Sequence, residues 1–194
     1  EILPHYISFN SLFITVVTGK SLEFYESYLS PPISLIRAMP NTPVSIHQGV
    51  IALLSNTTVT PDQKQLAEIC FRELGFYTWV KSDEDIDKIT AISGSGPAYV
   101  YYMIESLAKA AESLGFDSKT AIDLARYTFW GASTYAHDSS DLPSVLRQHV
   151  TSPMGTTAAA LNVLETRGLY NIMEAGVKAA YNRAKELSDE RQSV

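Results

Sequence analysis

Thr60-Pro61-Asp62-Gln63-Lys64-Gln65-Leu66-Ala67-Glu68-Ile69-Cys70-Phe71-Arg72-Glu73-Leu74-Gly75 decides the first half of the fold. Thr60 suits a helix N-cap and Pro61 the first helical position, where its missing N–H is no loss. Gln63 stands three residues after Thr60, the spacing of a capping box. Leu66, Ile69, Cys70 and Leu74 recur at helical spacing and are expected to form the buried stripe, with Gly75 ending the helix. On either side lie short apolar runs of strand length, Val50–Leu54 before and Phe76–Val80 after. A capped helix between two such runs is a strand–helix–strand unit.

Working outward, Leu12-Phe13-Ile14-Thr15-Val16-Val17 is another nearly continuous apolar run. Thr18-Gly19-Lys20 turns, Ser21–Leu29 fits a short helix, and Ile33–Met39 reads as a second strand ended by Pro40-Asn41-Thr42-Pro43. The first 82 residues are therefore expected to form part of an α/β layer. Ser82-Asp83-Glu84-Asp85 reads as a polar break and domain boundary. After it only helical patterns remain: Pro97–Leu114, Ser118–His137 capped by Ser118, Pro143–Val150, Thr157–Thr166 and Leu169–Leu187. Residues 83–194 are expected to form an all-helical domain. Its faces are rich in Ala, Gly and Tyr, which lets helices approach closely, and an apolar surface beyond what one small bundle can bury would suggest a dimer.

Composition narrows the function. Of 194 residues, 45% are hydrophobic and 19% charged, which suits a packed globular chain. No apolar run reaches the roughly 20 residues of a membrane helix, and no signal peptide is visible. A net charge of −6 without a basic stripe argues against nucleic acid as a partner. His5, His47, His137 and His149 show no paired spacing, and one cysteine supplies no thiolate cluster, so no metal site is expected. Cys70 is expected to be a small core residue rather than a reactive thiol. The lone cysteine favours an intracellular protein, and the cytoplasm is the expected location.

Two small-residue loops run into helices. In Thr151-Ser152-Pro153-Met154-Gly155-Thr156-Thr157, Pro153 interrupts the helix before it and Gly155 allows close approach of a ligand. The amides near Gly155–Thr157 should then be free at a helix start and suit an anion. The loop holds no lysine or arginine, though Arg147 is one turn away, so a carboxylate fits better than a phosphate. Plain N-capping is the competing reading. In Ser93-Gly94-Ser95-Gly96-Pro97 the glycines do not make a dinucleotide fingerprint, since the third glycine and the preceding strand are missing. This stretch reads as a kink between helices, and either lines a cleft or allows close helix packing. Met39-Pro40-Asn41-Thr42-Pro43 lies at the carboxyl end of a strand, where open α/β sheets bind ligands; an ordinary Asx turn explains it equally well. No acid–base pair or triad emerges. Glu105 and Glu112, with Lys109 between them, read as a solvated face, and His149 as a helix-end histidine.

Together these stretches resemble the pyrroline-5-carboxylate reductase family. The resemblance rests on Arg37–Pro43, Thr90–Tyr99 and Val150–Thr157 followed by Leu161–Glu165, in this order and spacing, and covers nearly the whole chain. It implies the C-terminal part of a Rossmann-type NAD(P)-binding domain followed by a helical dimerisation and substrate domain. It further implies an intertwined homodimer, able to assemble further, that reduces Δ1-pyrroline-5-carboxylate to L-proline with NADPH or NADH. Ser152, Gly155, Thr156 and Thr157 match the substrate-binding loop, with Thr157 as the catalytic hydroxyl nearest the imine. Val17, Thr18, Asn41, Thr42 and Pro43 match positions that touch the cofactor. Ser93–Pro97 matches the helix start that closes the cleft. Two departures stand out. The family usually has Gly-Gly where this chain has Met154-Gly155, so residue 154 must point away from the substrate or reshape the loop. The Gly-rich opening of a Rossmann domain is not in these 194 residues, so the chain is expected to begin inside that domain. Two other readings remain: a dehydrogenase of 3-hydroxy acids, disfavoured because neither helical-domain loop holds a lysine, and a helical dimerisation module without catalysis.

Overall fold

A computed structural model of the chain describes residues 11–29 and 33–192, with side chains as far as Ser188; His5 lies outside the described residues. The order of elements is β1 (Leu12–Thr15), α1 (Leu22–Tyr28), β2 (Ser34–Pro40), β3 (Gly49–Ser55), α2 (Pro61–Arg72), β4 (Gly75–Trp79), α3 (Asp83–Ile89), α4 (Gly96–Ser113), α5 (Ser118–Asp138), α6 (Pro143–His149), α7 (Thr156–Thr166) and α8 (Leu169–Gln192). By packing, the chain divides into two units, residues 1–97 with 176–194, and residues 98–175.

In the first unit the four strands lie in sequence order, β1-β2-β3-β4. β1 runs parallel to β2 and β3 parallel to β4, while β2 and β3 are antiparallel. Two βαβ units, β1–α1–β2 and β3–α2–β4, are thus joined back to back. The central strands are buried on both faces, which is why they read as continuous apolar runs rather than alternating ones. Ile36, Ala38, Ile51 and Leu53 pack against Ala67 and Phe71 of α2 on one face. Ala52 and Leu54 pack against Ile86 of α3 on the other, with Leu22 of α1 beside them. Between β2 and β3 the chain makes a 3₁₀ turn over Thr42–Ile46 and a left-handed His47 at φ 60°. Gly49 is in register with Gly75. A Cβ on Gly75, which sits at φ 136°, would fall 2.2 Å from the Gly49 carbonyl oxygen, so the close approach of these two strands requires glycine there.

The capping box at Thr60 forms in full, with Thr60 accepting from the Gln63 amide and Gln63 accepting from the Thr60 amide. The buried stripe of α2 is not the expected one. Ala67 and Phe71 face the sheet with Leu74 beside them, whereas Leu66, Ile69 and Cys70 are exposed. Both arcs of this helix carry apolar residues, and the sheet selects the arc that includes the small Ala67. The polar stretch read as a break is the start of α3: Ser82 caps it by accepting from the Asp85 amide, and its acidic first turn suits the positive helix end. The cap of α5 is Asp117, which accepts from the Thr120 amide, and not Ser118, which is the first helical residue.

In the second unit, α5, α6 and α7 follow α4, and the buried residues of α4 and α5 are small: Ala108, Ala121 and Ala125. Much of the apolar surface here is uncovered: Tyr101, Tyr102, Leu114, Tyr127, Trp130 and Tyr170 are all exposed. Among the described residues no helix is long and apolar enough to cross a membrane.

Candidate functional site

The sequence-selected residues fall into two groups, one in each unit. In the first unit, Val16, Val17 and Thr18 leave the carboxyl end of β1 exposed to solvent. Met39 and Pro40 end the adjacent β2, and the Thr18 hydroxyl lies 3.9 Å from the Met39 sulfur. Thr42 is exposed and Pro43 half-buried at the head of the 3₁₀ turn. Asn41 is turned inward. Its Oδ1 accepts from the Val50 amide at 2.9 Å and its Nδ2 donates to the Ser93 carbonyl at 2.9 Å. The carboxamide expected to face a ligand is thus engaged by the chain's own backbone.

Ser93 belongs to a feature that periodicity does not signal. Between α3 and α4 the chain widens into one turn of π-helix over Thr90–Gly94, closed by the Ser95 amide on the Thr90 carbonyl at 2.9 Å. Such turns concentrate at functional sites. Gly94 packs close to Met39: a Cβ on it would stand 3.6 Å from the Met39 methyl and 3.3 Å from the Thr90 methyl. Arg37, buried in the middle of β2, forms an ion pair with Asp83 at the head of α3. Strand β2 is therefore tied to the α3–π segment at its middle and at its carboxyl end, and the two strand-end loops and the Ser93 turn share one corner of this unit.

In the second unit, Ser152–Gly155 is a β-turn closed by the Gly155 amide on the Ser152 carbonyl at 3.0 Å. Met154 takes the third position of that turn at φ 59°, a left-handed conformation that glycine adopts freely and methionine does not. Its side chain is fully exposed, so of the two outcomes the sequence allowed, the loop keeps a glycine-type turn and the thioether points outward. A Cβ on Gly155 would fall 2.3 Å from the Ser152 hydroxyl, so the turn needs a glycine there for space. The Gly155 amide, expected to be free, is spent on the turn. The donors left at the head of α7 are the amides of Thr156, Thr157 and Ala158. Gly155 is the N-cap and offers no side chain to satisfy them, and the first helical bond runs from Ala159 back to the Gly155 carbonyl. Thr156 is exposed and Thr157 half-buried. Arg147 does not supply the missing cation, because its guanidinium lies 3.4 Å from Glu165. The site thus offers backbone dipoles and hydroxyls, without a full positive charge in the loop itself. That combination suits a small carboxylate.

Among the described residues no group of three His, Cys, Asp or Glu side chains could hold a metal ion. A perturbed carboxyl lies away from this loop, where the Tyr181 hydroxyl of α8 donates to Glu84 of α3 at 2.8 Å. That hydrogen bond and the nearby Lys88 hold the Glu84 carboxyl below its usual range.

The profile of the pyrroline-5-carboxylate reductase dimerisation domain matches residues 83–187. The pyrroline-5-carboxylate reductase of Pseudomonas aeruginosa is 35% identical over 179 residues, which is 92% of this chain and 66% of that protein. That of Synechocystis is 38% identical over 91% of this chain and 65% of its own length. Among solved structures, a pyrroline-5-carboxylate reductase from Coxiella burnetii superposes with a TM-score of 0.87 at 44% identity, covering 91% of this chain and 66% of that one. A Plasmodium falciparum pyrroline carboxylate reductase with NADP bound superposes with a TM-score of 0.82 at 30% identity, over 92% of this chain and 68% of that one. The chain spans just under two thirds of the length of the Pseudomonas and Synechocystis relatives.

Proposed function

The chain belongs to the pyrroline-5-carboxylate reductase family, and we propose that it carries the substrate loop and one wall of the cofactor site of an enzyme that reduces Δ1-pyrroline-5-carboxylate to L-proline. The observation that carries the reading is the head of α7. A tight turn over Ser152–Gly155 delivers the chain to a helix whose first amides have no cap of their own. Three aligned donors at the positive end of an eleven-residue helix match the carboxylate of a small cyclic imino acid. The hydroxyls of Ser152, Thr156 and Thr157 add groups that donate or accept as the ligand requires.

The strand ends of the first unit fit a nicotinamide cofactor in kind. Val16 and Val17 offer exposed apolar surface at the carboxyl end of β1, and Thr18, Thr42 and Pro43 edge the neighbouring loops. These residues would line its nicotinamide half; NADPH and NADH remain equal candidates. The bound cofactor supplies the hydride. The chain's own part is positioning: the α7 amides fix the ring carboxylate, and Thr157 orients the ring nitrogen. A protonated imine that gains hydride loses its charge, so no strong protein acid is required, which agrees with the lack of an acid–base pair beside the loop. The exposed aromatic and aliphatic surface of the second unit supports a homodimer, in line with the dimerisation profile.

The test is oxidation of reduced nicotinamide by the purified protein in the presence of pyrroline-5-carboxylate, for the parent chain and for Thr157→Ala and Thr157→Val. Loss of one positioning hydrogen bond should lower kcat/KM by about tenfold to a hundredfold in both variants. Unchanged kcat/KM in both removes Thr157 from the reaction.

A further inference from the structure

We propose that Asn41 is a positioning residue, a two-handed clamp that registers the end of β2 against the π-turn, and not a ligand of the cofactor. The inference rests on the reductase reading for its use and on backbone accounting for its existence. Ser93 lies four residues before Pro97. In a continuing helix its carbonyl would accept from the amide at 97, but proline has none. The widening at Thr90–Gly94 and the proline at the start of α4 therefore leave the Ser93 carbonyl in need of a donor from outside its own helix. Asn41 Nδ2 supplies it at 2.9 Å. The same side chain's Oδ1 takes the Val50 amide at 2.9 Å, and the Asn41 amide donates to the Val50 carbonyl at 3.2 Å, so the other hand grips the start of β3. A carboxamide carries its donor and its acceptor on separate atoms, so one Asn side chain holds the Ser93 carbonyl and the Val50 amide together.

The clamp joins two of the three stretches that carry the family resemblance. The other meeting of Met39–Pro43 with Ser93–Pro97 that the geometry shows is apolar, the approach of the Met39 methyl to Gly94. Arg37 with Asp83 fixes the middle of the same strand against the head of α3, so Asn41 sets the remaining degree of freedom, the offset of the turn along the strand. A shift of that offset moves one wall of the proposed cofactor site relative to the other.

Asn41→Asp tests this, because it keeps the acceptor for the Val50 amide and replaces the donor to Ser93 with an oxygen that repels the carbonyl. In the full chain, amide exchange at residues 90–98 should speed up while protection across β3 and β4 stays. Turnover should fall by about tenfold with the KM values for both substrates changed by less than about threefold. Pro97→Ala in the same chain returns an N–H to the Ser93 carbonyl, and the double variant should regain protection and part of kcat. Unchanged exchange at 90–98 in Asn41→Asp overturns the clamp. Faster exchange with kcat unchanged overturns the positioning role. A parent chain without turnover counts against the reductase reading, while the exchange result still decides the clamp, so the two failures are separable.

Discussion

Met154→Gly should stabilise the protein, and the size of the gain can be worked from the turn. Met154 sits at φ 59° in the third position of the Ser152–Gly155 turn. For a residue with a Cβ this conformation costs about 1–2 kcal/mol. The side chain is 102% exposed, so its removal gives up no burial. Glycine relieves the strain but gives the unfolded chain more freedom, at a cost of about 0.5–1 kcal/mol. The net is a gain of about 0.5–1 kcal/mol, or about 1–4 °C in Tm for a chain of this size. Met154→Ala is the control. It removes the same exposed thioether and keeps the strain, so it should lie within about 0.5 kcal/mol of the parent. Urea unfolding of the three proteins, fitted with a common slope, measures both differences. Equal stability of the Gly and Ala variants would refute the strain argument. A loss above about 1 kcal/mol in Met154→Ala would show that the side chain packs against a surface outside this chain, and the reasoning from exposure would fail.

Two further outcomes follow from packing and charge. Phe71, 8% exposed against the sheet, should cost about 3–5 kcal/mol on change to Ala. Leu66→Ser, on the exposed arc of the same helix at 53%, should stay within about 0.5 kcal/mol by the same urea assay; the reverse order would return the stripe to the arc read from periodicity. The Tyr181–Glu84 contact should impose a pH window on the hold of α8 on α3. Hydrogen bonding to Tyr181 lowers the Glu84 pKa, so this contribution is present above the ordinary carboxylate range and lost as pH falls through the lowered value. The same bond raises the Tyr181 pKa, so its contribution is present below the ordinary phenol range and lost as pH rises through the raised value. The Tm difference between parent and Tyr181→Phe should therefore be flat at mid pH and vanish at both ends; a difference that persists in acid excludes the carboxylate as the acceptor.

Much of the fold was legible because its signals were local. The capping box at Thr60, the apolar runs of β2 and β3, and the proline that stops α6 each act within a few residues, and each stands where expected. What was not legible depended on the other side of a contact. Two apolar arcs on α2 carry the same periodicity, and only the sheet decides between Leu66 with Ile69 and Ala67 with Phe71. The acidic run after Ser82 reads as a polar break, and what its composition does not show is that Ile86 packs against Ala52 and Leu54 and draws the run into a helix. The π-turn leaves no mark in composition. Its nearest sequence signal is Pro97, four residues after a carbonyl that must then find a donor elsewhere.

That same accounting separates the two loop regions, which look alike in sequence. Both are hydroxyl-rich, contain glycine and proline, and end at a helix start. Near Ser93 the unsatisfied group is an acceptor, and the chain satisfies it internally through Asn41. At the head of α7 the unsatisfied groups are donors, and none of the described residues supplies an acceptor: the cap is glycine, the turn consumes only the Gly155 amide, and Arg147 is turned towards Glu165. A part-buried acceptor met from within makes a joint, whereas donors left open at a positive helix end make a receptor for an anion. The difference predicts opposite responses to the substrate. Amide exchange at 156–158 should slow when pyrroline-5-carboxylate or a cyclic carboxylate analogue is added, because the ligand becomes their acceptor, while exchange at 93–96 should not change. Slowing at 93–96 without slowing at 156–158 would exchange the roles of the two loops.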